Sequence, residues 1–425
     1  MKIAIAGYGV EGQASHRYYS KDPANDITIF DQNPDFVGSE GFKTVVGPDA
    51  FKHMGGFDLV LRSPPIAPYD LKTDGRIWSG TNEFFARSPA DIVGVTGSKG
   101  KGTTSSLIAS ILEAAGKKVW LIGNIGIPAL DVLDQVQSDD VVVFELSSFQ
   151  LWDLETAPKT AVVLLIEQEH LDVHKDMAEY VAAKGNITRT QTSDDLLIFN
   201  AQNEYSRSIA EYSQAQKVGY PSEATTHIKD GYFYNGEQKM CSIDAVQLPG
   251  LHNLENATAA IDAVWKYTQD SAVIEQGLRA FKGLPHRLSF VADVDGVKYY
   301  DDSIATTPTS AIAALRAFAV PKVIILGGSS KGSDFTELAK ELTQHDVTAL
   351  LMGEEATRIA EVCEQAGFTN FEIIENPTMT KVVARAHEIA KEGSVVLLSP
   401  STASFGLFKN YADRGDQFIA AVNNL

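Results

Sequence analysis

Val93-Gly94-Val95-Thr96-Gly97-Ser98-Lys99-Gly100-Lys101-Gly102-Thr103-Thr104-Ser105-Ser106 is the stretch that decides how this chain is read. Ile92 to Val95 is a short apolar run that reads as a buried strand, Ser105 to Ala115 reads as a helix, and a glycine-rich turn joins them. Glycines let backbone N–H groups converge on phosphate oxygens, the helix start adds the positive end of its dipole, and Lys101 supplies a point charge. Gly97, Ser98, Lys99, Gly100, Lys101, Gly102, Thr103 and Thr104 therefore form a candidate loop for a nucleotide triphosphate. The spacing departs from the usual pattern in one respect. Gly102 follows the lysine where a hydroxyl for magnesium normally stands, and Thr103 comes one residue late.

At 425 residues the chain exceeds what one hydrophobic core usually serves, so two or three domains are expected. A formal charge of −19 argues against a general binder of nucleic acid or of a membrane surface. An anionic substrate must then be held by local basic residues and helix ends. Cys241 and Cys363 have no metal-ligand spacing and offer no disulfide framework, and both read as packing residues of a reducing compartment. The sequence opens directly on the strand-like Met1-Lys2-Ile3-Ala4-Ile5-Ala6, and no run of 18 apolar residues occurs. A cytoplasmic protein, monomeric and with small-molecule partners, is the expectation.

Strands alternating with helices imply α/β architecture with mostly parallel sheets, and ligands at the carboxyl ends of the strands. Three segments are expected: 1–88, 89–283 and 284–425. The first opens as strand, Gly7-Tyr8-Gly9-Val10-Glu11-Gly12 turn, helix to about Lys21, and strand Ile27 to Asp31, with Asp31 nineteen residues beyond Gly12. This spacing suits a dinucleotide fingerprint with an acidic residue for a ribose hydroxyl. It suits equally the first unit of any open sheet that binds a nucleotide diphosphate, or a tight turn alone. A further strand, Phe57 to Leu61, ends in Arg62-Ser63-Pro64-Pro65. In the second segment, strands are expected at Val119–Ile122, Val141–Glu145, Ala161–Ile166 and Leu196–Asn200, then short antiparallel strands from about Lys217 to Leu248, and a helix to about Thr268. The third carries strands at Val297–Tyr300, Lys322–Leu326, Thr348–Met352 and Ser394–Leu398.

Glu145 stands at the tip of a strand that follows the phosphate-loop strand, where a magnesium ligand belongs. Glu167-Gln168-Glu169-His170-Leu171-Asp172-Val173-His174 gathers carboxylates and imidazoles at the end of the next strand. That cluster could ligate a second cation or orient substrate, although a solvated helix start would look similar.

Taken together the chain resembles the Mur ligases, ATP-dependent amide-bond enzymes of peptidoglycan assembly, and among them the branch that adds D-glutamate. The resemblance spans essentially the whole sequence. It rests on GSKGKGTT at 97–104, GNIGIPAL at 123–130, ELSSFQL at 145–151, HLD at 170–172, AAK at 182–184, GLHNLEN at 250–256, LPHR at 284–287, GGSSKGSDF at 327–335, and LLSPSTASF through FKNYADRGDQF at 397–418. It implies a first segment that binds a UDP-sugar, a second that binds ATP and a third that binds the amino acid. Gly7, Tyr8, Val10, Glu11, Asp31, Gln32, Ser63, Asn124 and His170 would contact UDP-N-acetylmuramoyl-L-alanine. Lys101, Thr103 and Thr104, with Asn253, Asn256, Arg287 and Asp302, would hold ATP. Thr103, Glu145, His170 and a carbamylated Lys184 would bind two Mg2+ ions, with Lys101, His170 and Lys184 catalytic. Thr306, Lys331, Ser404 and Tyr411 would grip D-glutamate.

Four departures qualify the match. Ile166-Glu167-Gln168-Glu169 replaces the family's Asn-x-x-Asp, and Asp302-Ser303-Ile304-Ala305-Thr306 lacks its lysine. The Lys101-Gly102-Thr103 order is better known in folylpolyglutamate synthases, and Ser63-Pro64-Pro65 replaces Ser-Pro-Gly. A folylpolyglutamate synthase needs no complete diphosphate-binding first segment, and a nicotinamide-dependent oxidoreductase leaves the phosphate loop and Glu145 unexplained. A non-catalytic nucleotide-binding relative, suggested by Ile304 and the altered run before His170, would lack ATP turnover that depends on both substrates.

Overall fold

A computed structural model describes residues 1–36, 38, 41–124, 127–171, 173–248, 250–330 and 332–425. The chain divides into two compact units, Met1–Gln247 with Leu251–Phe281, and Leu248–Gly250 with Lys282–Leu425. The parallel α/β organisation read from the alternating pattern is present in both.

Among the described residues the first unit contains three sheets. Strands β1 (Lys2–Ala6), β2 (Asp26–Asp31), β3 (Lys43–Val46), β4 (Leu59–Arg62) and β5 (Arg76–Trp78) form a parallel sheet of order β3-β2-β1-β4-β5. Strands β6 (Asp91–Thr96), β7 (Val119–Gly123), β8 (Val141–Glu145), β9 (Thr160–Val163), β10 (Leu196–Asn200) and β11 (Gln216–Tyr220) form a second, of order β11-β10-β9-β6-β8-β7, again parallel. A small antiparallel sheet follows, of β12 (Thr226–Lys229), β13 (Tyr232–Asn235) and β14 (Gln238–Ser242). In the second unit β15 (Ser289–Val294), β16 (Val297–Asp301), β17 (Lys322–Leu326), β18 (Val347–Leu351), β19 (Phe371–Ile373) and β20 (Val395–Leu398) take the order β15-β16-β20-β17-β18-β19, with only β15 antiparallel.

The central strands are apolar on both faces because helices cover both, as for VVVF of β8 and VIIL of β17, every residue of which is buried. Edge strands differ. Gln216-Lys217-Val218-Gly219-Tyr220 was expected to belong to a run of antiparallel strands, yet it pairs in parallel with β10. Its exposed first two residues mask the pattern, as befits a sheet edge. The strand expected over 161–166 stops at Val163, and residues 164–166 run on as irregular chain.

The phosphate-loop helix runs from Lys101 to Ala114, four residues earlier than the sequence suggests, and is buried along most of its length against helices Leu251–Val264 and Ser271–Ala280. The last of these approaches closely at Gly277, whose carbonyl accepts from Ser110 Oγ at 2.7 Å. A Cβ on Gly277 would lie 2.4 Å from Ile111 Cα. Gly277→Ala should therefore force the two helices apart and cost about 1–3 kcal/mol, as overpacking does, which urea unfolding would measure.

Candidate active site

The phosphate loop leaves β6 between two strands that bring it partners. On one side Val95 is in register with Glu145, Leu146 N–H donates to Val95 O at 2.8 Å, and Thr96 Oγ1 donates to Leu146 O. On the other, Leu164 N–H donates to Thr96 O at 2.9 Å and Ser98 N–H to Leu165 O at 2.8 Å. The Ser98 hydroxyl lies within 3.0 Å of Glu167 O, Glu167 N and Tyr180 Oη, so its side chain closes the loop rather than facing a ligand. Gly100 precedes the helix at φ +85°, a left-handed conformation that glycine takes without strain. Asn256 stands against it, since a Cβ on Gly100 would lie 2.3 Å from Asn256 Oδ1. Asn256 Nδ2 in turn reaches Asn253 Oδ1 at 3.3 Å.

Lys101 Nζ donates to Gly97 O at 2.9 Å and Ser98 O at 2.8 Å. Lys184, on helix Met177–Gly185, is buried and donates from Nζ to the same Gly97 O at 2.8 Å, with its ammonium over the Tyr180 ring. Burial, reinforced by the charge of Lys101, holds the Lys184 pKa well below that of an ordinary lysine, and Glu169 and Glu145 offset this only in part. Burial also works against the charge on Glu169, but Lys99 at 3.1 Å and Lys101 outweigh it and lower that pKa.

Glu145 is buried, and its Oε1 accepts from Asn124 Nδ2 at 2.8 Å. Its Oε2, with Thr104 Oγ1 and Ser105 Oγ, is buried without a hydrogen-bond partner. Orphaned buried oxygens are costly, and hard oxygen donors beside a phosphate loop are what Mg2+ takes, so the residues present fit the ion. Thr103 is buried in the first helical turn. His170 adopts φ +57°, its ring lies 4.9 Å from Phe149, and its Nε2 is 3.8 Å from Glu169 Oε2. Asp172 falls outside the described residues.

In the first sheet the order reverses between β1 and β4, where a crevice opens at the strand ends. Ser63 Oγ donates to Gly7 O at 2.8 Å, and a Cβ on Gly12 would lie 2.1 Å from that carbonyl, so the helix start can approach only as glycine. Asp31 accepts from Tyr8 N–H and Asn33 N–H, one on each carboxylate oxygen, and thereby shapes the turn. Glu11 is half-buried, with its pKa raised by burial and partly restored by Gln150. Val10 is exposed. A cavity of about 400 Å³ is lined by Gln32, Pro48, Phe51, Lys52, Pro65, Ile66 and Asp70.

In the second unit the order reverses between β17 and β20, so the loops after these strands face one crevice. Ser404 is buried there, Ser329 Oγ and Ser401 Oγ are buried without partners, and Lys331 lies outside the described residues. Thr306 is half-buried, and Tyr411 is exposed at the start of helix Tyr411–Val422. Asp302 has its pKa pushed up to about 7 by burial, against bonds from Ser399 Oγ and Leu288 N–H and the charge of exposed Arg287.

Sequence reading left two buried arginines without a role. Arg62 ends β4, and Arg414, fully buried, donates to Ser303 and to the carbonyls of Thr402 and Ala403. An arginine closing the apolar run Leu59-Val60-Leu61, and one on the apolar side of an amphipathic helix, were the signals available.

Two family models match the chain: the Mur ligase middle domain over residues 95–264, and the Mur ligase glutamate ligase domain over residues 286–402. The UDP-N-acetylmuramoylalanine--D-glutamate ligase of Clostridium novyi is 35% identical over 449 residues, covering 100% of this chain and 97% of its own length. That of Clostridium acetobutylicum is 36% identical over 452 residues, with 100% and 96% covered. Among solved structures, the UDP-N-acetylmuramate-alanine ligase of Thermotoga maritima superposes with a TM-score of 0.61 at 18% identity, over 100% of this chain and 99% of that one. E. coli FolC in complex with ADP gives 0.61 at 18% identity, over 81% and 94%. With two domain models in place and relatives aligned to it from end to end, this chain belongs to the Mur ligase family.

Proposed function

We propose that this chain is an ATP-dependent ligase that joins D-glutamate to UDP-N-acetylmuramoyl-L-alanine in peptidoglycan precursor synthesis, working in the cytoplasm as a monomer. Among the described residues no helix is long and apolar enough to cross a membrane. The observation that carries the reading is the convergence of Lys101 and Lys184 on Gly97 O beside the orphaned carboxylate oxygen of Glu145. In this reading residues 1–88 bind the UDP-sugar, 89–283 bind ATP and 284–425 bind the amino acid. The first-sheet cavity beside Gln32 and Pro65 accounts for the diphosphate-binding segment that a folate ligase would not need.

The substrate carboxylate attacks the γ-phosphate of ATP, giving an acyl phosphate and ADP. Lys101 exchanges its loop carbonyls for phosphate oxygens and offsets the charge gathering on the transferred group. Thr103, Glu145, His170 and Lys184 would hold two Mg2+ ions, which supply neutralisation of the phosphate charge. The neutral amine of Lys184 adds to CO2: an N–C bond forms, a proton leaves the nitrogen for solvent, and the resulting carbamate offers oxygen where an ammonium would repel a cation. Asn124 orients the muramyl part and Asn253 and Asn256 the nucleotide, with Arg287 and Asp302 also assigned to ATP. The amine of D-glutamate, gripped by Thr306, Lys331, Ser404 and Tyr411, then attacks the acyl carbon and phosphate leaves.

Phosphate release from ATP, Mg2+ and UDP-N-acetylmuramoyl-L-alanine, with each amino acid supplied in turn, tests the reaction. Release that does not depend on D-glutamate would overturn it. Lys101→Ala should reduce turnover by about 10²-fold or more, the scale on which a lost transition-state donor is felt, with the melting temperature nearly unchanged. Lys184→Ala should lose most activity, bicarbonate depletion should slow the wild type reversibly, and 13C-bicarbonate should give a carbamate NMR signal in the wild type alone. Lys331→Ala should raise the KM for the amino acid by about tenfold, the scale of one lost charged contact, while the KM for ATP stays put.

A further inference from the structure

Arg62 occupies a position to which no part of the proposed chemistry assigns a role. Its side chain is fully buried, and its N–H groups are all engaged within the fold. Nε donates to Asp153 Oδ2 at 3.0 Å. Nη2 donates to Asp153 Oδ1 at 2.6 Å and to Phe149 O at 2.9 Å. Nη1 donates to Pro64 O at 2.7 Å and Ile66 O at 2.9 Å, with Ser63 O more distant at 3.4 Å. A guanidinium carries five donors in a rigid fork, and here every one is spent.

The two ends of this fork differ in what they hold. One end gathers the carbonyls of the turn Ser63–Ile66, of which Pro65 and Ile66 wall the first-sheet cavity while Ser63 Oγ holds Gly7 O. The other end holds Phe149 and Asp153, in and just beyond the short helix Ser148–Leu151 that begins three residues after Glu145. The Phe149 ring packs against both His170 and His174. A Pro-Pro turn cannot offer its own N–H groups at residues 64 and 65 to stabilise itself or a ligand, so its shape depends on what grips its carbonyls.

We propose that Arg62 is a positioning residue for the UDP-sugar: it sets the Ser63–Ile66 turn and locks it in register with the segment that follows Glu145. It touches no substrate. The inference rests on the reading of the first-sheet crevice as the UDP-sugar subsite.

The test compares wild type with Arg62→Met, Arg62→Lys and Asp153→Asn, by steady-state kinetics and by calorimetric binding of UDP alone. Arg62→Met should raise the KM for UDP-N-acetylmuramoyl-L-alanine and the Kd for UDP by about tenfold or more, while the KM values for ATP and D-glutamate change less than about threefold. Arg62→Lys, which keeps the charge but loses the fork, should fall between. Asp153→Asn keeps the grip on the turn and should raise the KM for the UDP-sugar less than Arg62→Met does. Should Arg62→Met fail to fold, the graded effect of the other two decides. Lowered melting temperatures with unchanged UDP-sugar KM and UDP affinity, or equal shifts for all three substrates, would overturn the proposal while leaving the ligase reading standing. A wild type that binds UDP but shows no turnover overturns the ligase reading instead, and the Arg62 proposal is then decided by UDP affinity. A wild type that does not bind UDP overturns the proposal.

Discussion

Two lysine side chains meet at one carbonyl oxygen, that of Gly97, and the proposed chemistry of the first unit starts from this contact. Two ammonium groups so close repel one another, and the more deeply buried must give up its proton more readily. Lys184 is that group: its burial first, and then the charge of Lys101, lowers its pKa. The acids nearby do not cancel the effect, because Glu169 is already engaged by Lys99 and the Tyr180 hydroxyl while Glu145 is tied at one oxygen to Asn124. The loop that brings these groups together is itself held from both sides, by Leu146 beyond β8 and by Leu164 and Leu165 beyond β9.

Each parallel sheet places its polar groups by the same topological rule. Where strand order reverses, successive connections leave on opposite faces and a crevice opens at the carboxyl ends. The reversal falls between β1 and β4 in the first sheet and between β17 and β20 in the last, and buried Arg62, at the end of β4, and Arg414, in helix Tyr411–Val422, reach into loops at these sheet ends. Each guanidinium gathers loop carbonyls that regular secondary structure leaves unmatched, Arg62 those of Pro64 and Ile66, Arg414 those of Ser303 and Thr402. Backbone groups that would otherwise be buried without partners are thus satisfied by one side chain.

Much of the fold was legible because apolar runs such as Val141–Phe144 and Val323–Leu326 have only one reading when helices flank them. Edge strands were not, since Lys43–Val46, Arg76–Trp78 and Gln216–Tyr220 are short or polar and owe their conformation to a neighbour. The phosphate loop and Glu145 were legible from local order alone. The three-way hold on Ser98, the burial of Lys184 and the fork of Arg62 were not, because each joins residues between 69 and 91 positions apart in sequence. Asp31 illustrates the opposite case: its spacing was visible, whereas its engagement by Tyr8 and Asn33 N–H needed three dimensions.

Lys101 already donates to the carbonyls of Gly97 and Ser98, so in the proposed reaction nucleotide arrival is an exchange of partners rather than the addition of one. The net enthalpy of that step is the difference between a phosphate and two amide oxygens, far less than the bare attraction of opposite charges. When the nucleotide departs, the half-buried lysine has acceptors to return to. In the proposed reaction an affinity restrained in this way would let spent ADP leave, which favours repeated turnover over tight storage of the nucleotide.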